Sequence, residues 1–267
     1  MQTPRDYTGL GAEVWDVLAR EHDPGDVALF RGRLDGLGPP PLRVLDVGCG
    51  TGRMMLPLLR AWHRVVGLDV SADQLRFCRA RLEEAGLAGS LCAESVERYH
   101  DDEPFDAVLV PCGTLQLLDG RAGLAQGLRR IAGLLRPHGL LLASFFLEGG
   151  NLFDDPTQVG RWVLRGQGVA GDGTQLVKHA RVDDIDWPAQ CVRLTLRYRR
   201  CAGDDPDRVL QEQTVAVREH WYSPGEIAHL IADTGFTDVQ FSGGYAERPM
   251  RASDRTFVVQ AVRRADA

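Results

Sequence analysis

Apolar and polar positions change rhythm twice along the chain. Between residues 42 and 150, short apolar runs alternate with stretches of helical period, the pattern of repeated β-α units around a parallel sheet. The runs predict strands at Arg43–Val47, Val65–Asp69, Ser90–Ala93, Ala107–Val110 and Leu140–Phe146. Ser71 and Gln74 have capping-box spacing ahead of a stripe of Leu75, Cys78 and Leu82, which predicts a helix over Ser71–Glu84. Leu124, Leu128, Ile131 and Leu135 form a second stripe, which Pro137 and Gly139 are expected to stop.

From about Asn151 to Tyr222, β-branched and aromatic residues alternate with Arg, Asp and Thr, as in Val192-Arg193-Leu194-Thr195-Leu196-Arg197-Tyr198, so antiparallel strands with one wet face are expected. Ser223-Pro224-Gly225-Glu226 then supplies a cap, a proline for the first turn and a reciprocal glutamate before Ile227, Leu230 and Ile231, and the helical layer resumes. Strands at Val239–Ser242 and Thr256–Val262 close the chain. At the other end, Leu10, Val14 and Leu18 sit at helical spacing within residues 8–21, and Gly36-Leu37-Gly38-Pro39-Pro40-Pro41 breaks the chain before the first strand. The expected division is an α/β core of 1–150 and 223–267, with a helical lid in 1–40 and an antiparallel β insertion over 151–222.

A chain of 267 residues suffices for one such nucleotide-binding domain with an appendage. No apolar run reaches membrane-spanning length and the first residues lack signal-peptide blocks, so a cytoplasmic protein with no membrane partner is expected. The net charge of −6 provides no overall positive field for a phosphate backbone, which argues against nucleic acid. The six cysteines contain no C-x-x-C pair and read as free thiols. The acidic runs Asp101-Asp102-Glu103 and Asp183-Asp184 lack metal-ligand spacing, and no metal is expected.

The chemistry starts at Val44-Leu45-Asp46-Val47-Gly48-Cys49-Gly50-Thr51-Gly52, a buried strand turning into a helix with glycines at alternate positions. Glycine permits the turn and lets a ligand lie on the backbone amides. A dinucleotide fingerprint would place its third glycine where Arg53 stands, and no Lys-Ser/Thr follows to make a triphosphate loop, so both ligands lose ground. Asp46 suits a ligand with an ammonium group. Asp69 follows the first glycine by about 20 residues, the spacing at which a carboxylate accepts ribose hydroxyls.

LDVGCGTGR, GLDVS and FDAVLV, in this order and spacing, resemble the class I S-adenosylmethionine-dependent methyltransferases across residues 40–150. The resemblance implies a seven-stranded Rossmann-like sheet and S-adenosylmethionine as cofactor. It places Gly48, Cys49, Gly50 and Gly52 on the methionine moiety, Asp69 on the ribose and Glu94 and Ser95 on the adenine, with Val70 and Pro111 as further cofactor-binding residues. Tyr7, Trp15 and HWYSPGE resemble the subgroup of glycine N-methyltransferase and the aminosugar N,N-dimethyltransferases of antibiotic pathways, with Trp15 departing from the usual tyrosine. That likeness implies a lid over the cofactor and an insertion over the acceptor.

A neutral amine attacks a sulfonium methyl unaided, whereas an alcohol needs a base. His179 and His220, both in the insertion, are the candidate bases, and Tyr7 is a candidate to cradle the methyl group. Thr114 and Gln116, after the fourth strand, and Trp162, Trp221 and Tyr222 are candidate acceptor contacts; Cys112 reads as a small core residue. The expected function is methyl transfer to nitrogen or oxygen of a small molecule such as an amino sugar, with a homodimer as the candidate assembly and a carrier protein as a weaker alternative substrate. A non-catalytic cofactor-binding pathway protein and an NAD-dependent oxidoreductase are the rival readings.

Overall fold

A computed structural model describes residues 7–21, 23–147 and 159–265. In chain order the elements are α1 (Leu10–Glu21), α2 (Asp26–Asp35), β1 (Arg43–Val47), α3 (Met55–Arg60), β2 (Arg64–Leu68), α4 (Ala72–Glu84), β3 (Ser90–Cys92), β4 (Phe105–Val110), α5 (Gly120–Leu134) and β5 (Leu135–Phe146). There follow β6 (Trp162–Val169), β7 (Gln175–Asp186), β8 (Cys191–Cys201), β9 (Val209–His220), α6 (Pro224–Asp233), β10 (Phe236–Gly243) and β11 (Thr256–Arg263).

The main sheet has the order β10-β11-β5-β4-β1-β2-β3. β1 to β5 are parallel, and β11 runs antiparallel to both β5 and β10. β1 and β4 sit inside it and read as near-continuous buried runs because helices cover both faces. Alternation divides their side chains: Leu45, Val47, Val108 and Val110 pack beneath α5 and α6, while Val44, Ala107 and Leu109 pack beneath α2, α3 and α4.

The insertion is a separate four-stranded antiparallel meander, β6-β7-β8-β9. Its inner face, with Leu176, Ala180, Leu194, Leu196, Tyr198 and Val217, packs on Leu10 and Val14 of α1. The lid helix is therefore held between the two sheets. Gln213 on β9 donates to Thr8 O (3.1 Å) and accepts from Gly11 N (3.3 Å), Arg200 on β8 pairs with Glu13, and Gly9 N donates to Asp73 Oδ2 on α4 (2.7 Å).

The expected strands all form, with ends shifted by a few residues. β5 differs most: it starts at Leu135, which is buried as the helical stripe required but extended, and His138 adopts φ 61° beside a register shift against β4. Pro137 and Gly139 thus lie inside a strand, the helix having already ended at Leu134. The lid region holds two helices where one was expected, since Gly32 and the arginines around it mask the burial of Leu29, Phe30 and Leu34. The expected start of the insertion near Asn151 lies outside the described residues. Among the described residues no helix is long and apolar enough to cross a membrane.

Candidate active site

A cavity opens at the carboxyl ends of β1, β2 and β4, where parallel α/β sheets leave room for ligands. Its floor is the glycine loop. Gly48 N and Cys49 N both donate to Leu68 O (2.7 and 3.1 Å), fastening the loop to β2. Gly48 has φ 71°, and a Cβ there would lie 2.5 Å from Thr114 Oγ1, so backbone conformation and close approach both require glycine. Gly52 has another use. A Cβ on it would meet Leu56 Cδ1 at 2.6 Å and Cys78 Sγ at 2.8 Å, so this glycine seats the loop against α3 and α4 and does not line the cavity.

Asp46, the last residue but one of β1, has its side chain at 0% exposure and neither carboxylate oxygen hydrogen-bonded. Burial pushes its pKa up to about 7, against the pull of Arg53. An unpartnered buried carboxylate costs free energy unless a cation reaches it. Asp69 accepts from Gly50 N (2.9 Å) and Ser71 N (2.8 Å), so its two oxygens face the loop and the start of α4; the helix cap itself is Ser71, which accepts from Gln74 N (3.2 Å). Glu94 accepts from Ser95 N (2.9 Å) and from Arg98 Nε (2.9 Å); the Ser95 amide, and after it Arg98, holds its carboxyl below the usual range.

Tyr7, Trp15, Asp46, Gly48, Cys49, Gly50, Asp69, Val70, Glu94, Ser95, Pro111 and Thr114 all line this cavity. The Tyr7 carbonyl accepts from Ser71 Oγ (2.7 Å), and its ring meets Trp15 edge-on with centroids 5.2 Å apart. Burial pushes the Tyr7 phenol well up, so it stays protonated. Lys178, the one lysine of the chain, places Nζ 4.1 Å from the Trp15 ring centroid and joins the insertion to this aromatic wall.

The insertion candidates lie elsewhere. His179 is on the face of β7 opposite Lys178, paired across strands with Leu164 and Arg197; burial, and next the Arg197 guanidinium, hold its pKa below the ordinary imidazole value. The His220 ring sits on the far side of β9, with Nδ1 3.3 Å from Ala189 O and stacked on Tyr222. Trp162 is packed between Arg181 and Arg197, Trp221 against Trp187, and Tyr222 in the core under α6. Gln116 is only 3% exposed and uses its whole carboxamide on backbone: Nε2 donates to Phe146 O (3.0 Å) and His220 O (2.8 Å), and Oε1 accepts from Phe146 N (2.6 Å). None of these six lines the cavity.

Two lining residues carry chemistry that the sequence reading passed over. Arg53 donates from Nη1 and Nη2 to the two oxygens of Asp26 (2.6 and 2.5 Å), a fully buried carboxylate at the start of α2, and from Nη2 to Cys112 Sγ (3.1 Å). Gly25-Asp26, a helix-start pair, was the available signal for the first. Cys112 is exposed, with φ 55°, and is not the core residue expected.

Residues 44–139 match the family model described as a methyltransferase domain. The ubiquinone biosynthesis O-methyltransferase of Bradyrhizobium diazoefficiens is 30% identical over 129 residues, covering 47% of this chain and 49% of the relative. The chain spans about half the length of the curated relatives it matches. Among solved structures, an S-adenosylmethionine-dependent methyltransferase from Clostridium acetobutylicum superposes with a TM-score of 0.75 at 12% identity, over 95% of this chain and 97% of the other. CalS10, an amino pentose methyltransferase from Micromonospora echinaspora solved with S-adenosylmethionine bound, gives 0.68 at 19% identity, over 96% and 98%. The matched model and the shared fold lead to one conclusion: residues 44–139 form a methyltransferase domain, in a chain whose fold is that of solved S-adenosylmethionine-dependent methyltransferases.

Proposed function

We propose that this protein transfers a methyl group from S-adenosylmethionine to an amine nitrogen of a small molecule of amino-sugar type. Bound in the cavity, the cofactor supplies an activated sulfonium methyl. In this reading the ammonium of its amino acid tail answers Asp46, the side-chain-free surface of the Gly48–Gly50 loop, whose amides are already held by Leu68 O and Asp69, carries the tail, Asp69 takes the ribose hydroxyls, and Glu94, beside Ser95, takes the adenine. Tyr7 and Trp15 close the cavity against water, and Thr114 with Leu117 bounds the side where an acceptor approaches.

The observation that carries the reading is the Asp46 carboxylate, buried and without a partner at the base of a glycine loop. Nitrogen is favoured because no histidine is among the described residues lining the cavity, and a neutral amine needs no base to attack. The amino pentose substrate named for CalS10 supports the sugar class.

Calorimetric titration with S-adenosylhomocysteine and with NADH tests the cofactor. The first is expected to bind and the second not, and Asp69→Ala should weaken S-adenosylhomocysteine by at least about tenfold through loss of charge-assisted hydrogen bonds. Undiminished affinity in that variant overturns the ribose assignment. Transfer of label from methyl-labelled cofactor to amino sugars, and not to the corresponding hydroxy sugars, tests the acceptor.

A further inference from the structure

Among the described residues, every charged side chain lining the cavity is an acid except one. Asp46, Asp69 and Glu94 are carboxylates; Arg53 is the single cationic side chain among the described lining residues. A zwitterionic amino acid tail bears its carboxylate and ammonium on one carbon, so an ammonium seated on Asp46 brings the carboxylate into the same corner. There a carboxylate meets repulsion from Asp46 and Asp69 unless a cation stands beside it. Arg53 does, close enough to Asp46 to oppose the rise of its pKa.

From this we infer that Arg53 receives the α-carboxylate of the cofactor, so that the tail is read at both ends, by Asp46 and by Arg53. The inference rests on the cavity being the cofactor site. A guanidinium has five N–H donors in a planar fork. Asp26 takes one from each terminal nitrogen and Cys112 Sγ a third, which leaves donors for a carboxylate. The Asp26 pairing fixes the plane of the fork before any ligand arrives and is itself 15% and 0% exposed, so it does not swing away into solvent. Because Asp26 opens α2, tail recognition is anchored in the N-terminal helical layer as well as in the loop.

The test compares S-adenosylhomocysteine with S-adenosyl-3-thiopropylamine, which keeps the adenosine, the thioether and the ammonium but lacks the carboxylate. The native protein should bind the first roughly ten- to a hundredfold more tightly. Arg53→Met should erase that preference by weakening S-adenosylhomocysteine alone, and Arg53→Lys should keep part of it. Since Arg53→Met leaves Asp26 buried without its partner, the double variant Asp26→Asn with Arg53→Met serves as the folded comparison, with its thermal transition recorded. A preference equal in native and variant proteins overturns the role of Arg53 while leaving the cofactor reading intact. Failure of the native protein to bind either ligand overturns both.

Discussion

At the scale of single residues, Asp46 couples the site to pH. Its pKa of about 7 in the ligand-free protein means that it is largely protonated at pH 6 and charged at pH 8. An arriving ammonium favours the charged form, so affinity for S-adenosylhomocysteine should rise as pH climbs from 6 to 8, with proton release detectable in buffers of different ionisation enthalpy. Stability runs the other way. The folded pKa lies above the unfolded value of about 3.8, so this group's contribution is fully present below that value and is lost as pH rises through about 7. Asp46→Asn should therefore stabilise the ligand-free protein at pH 8, by on the order of 2 kcal/mol, and flatten both slopes; unchanged slopes in denaturation and titration would remove the assignment. The acid itself was legible in the sequence because loop, glycines and carboxylate are contiguous. Arg53 was not, since its partner Asp26 lies in a helix without a clear apolar stripe. His179 failed for another reason: in a strand the neighbour of an inward residue points outward, and sequence alone does not say whether Lys178 or His179 faces in.

At the scale of elements, local signals served well wherever the chain itself makes the decisive contact. Ser223 accepts from Glu226 N (3.2 Å) while Glu226 Oε2 accepts from Ser223 N (3.0 Å), which is the reciprocal cap expected for α6. Ser223→Ala should cost about 1 kcal/mol, read as a fall in the urea midpoint without a change in cofactor affinity. A loss of cofactor binding instead would mean that the helix start bears on the cavity. β5 shows the limit of such signals. Leu135 completes a helical stripe perfectly well, yet pairing with Phe105 on β4 draws it into the sheet, and that competition between neighbours far apart in sequence leaves no local trace.

At the scale of the whole molecule, the parallel β-α core and the antiparallel insertion were both readable from the change in hydrophobic period, the seven-stranded sheet only from the family resemblance, and the way the two sheets are fastened from neither. Gln116 is one such fastening, beside those made through α1, and from sequence it reads as a polar group at a ligand-bearing edge. Gln116→Leu would leave the carbonyls of Phe146 and His220 and the Phe146 amide without a partner in a buried place. A loss of about 3 kcal/mol is expected, together with faster amide exchange along the last residues of β9, while β1 and β2 keep their protection. Uniform change across both sheets would show that they open as one unit.

That single carboxamide has a topological meaning too. The chain departs the core beside Phe146 and is back beside His220, both carbonyls bonded to one nitrogen, so the excursion leaves and re-enters through one doorway. Whatever faces away from α1 in that excursion can then diverge, lengthen or be grafted from another protein through two adjacent splice points, so long as the face that seats the lid helix is kept.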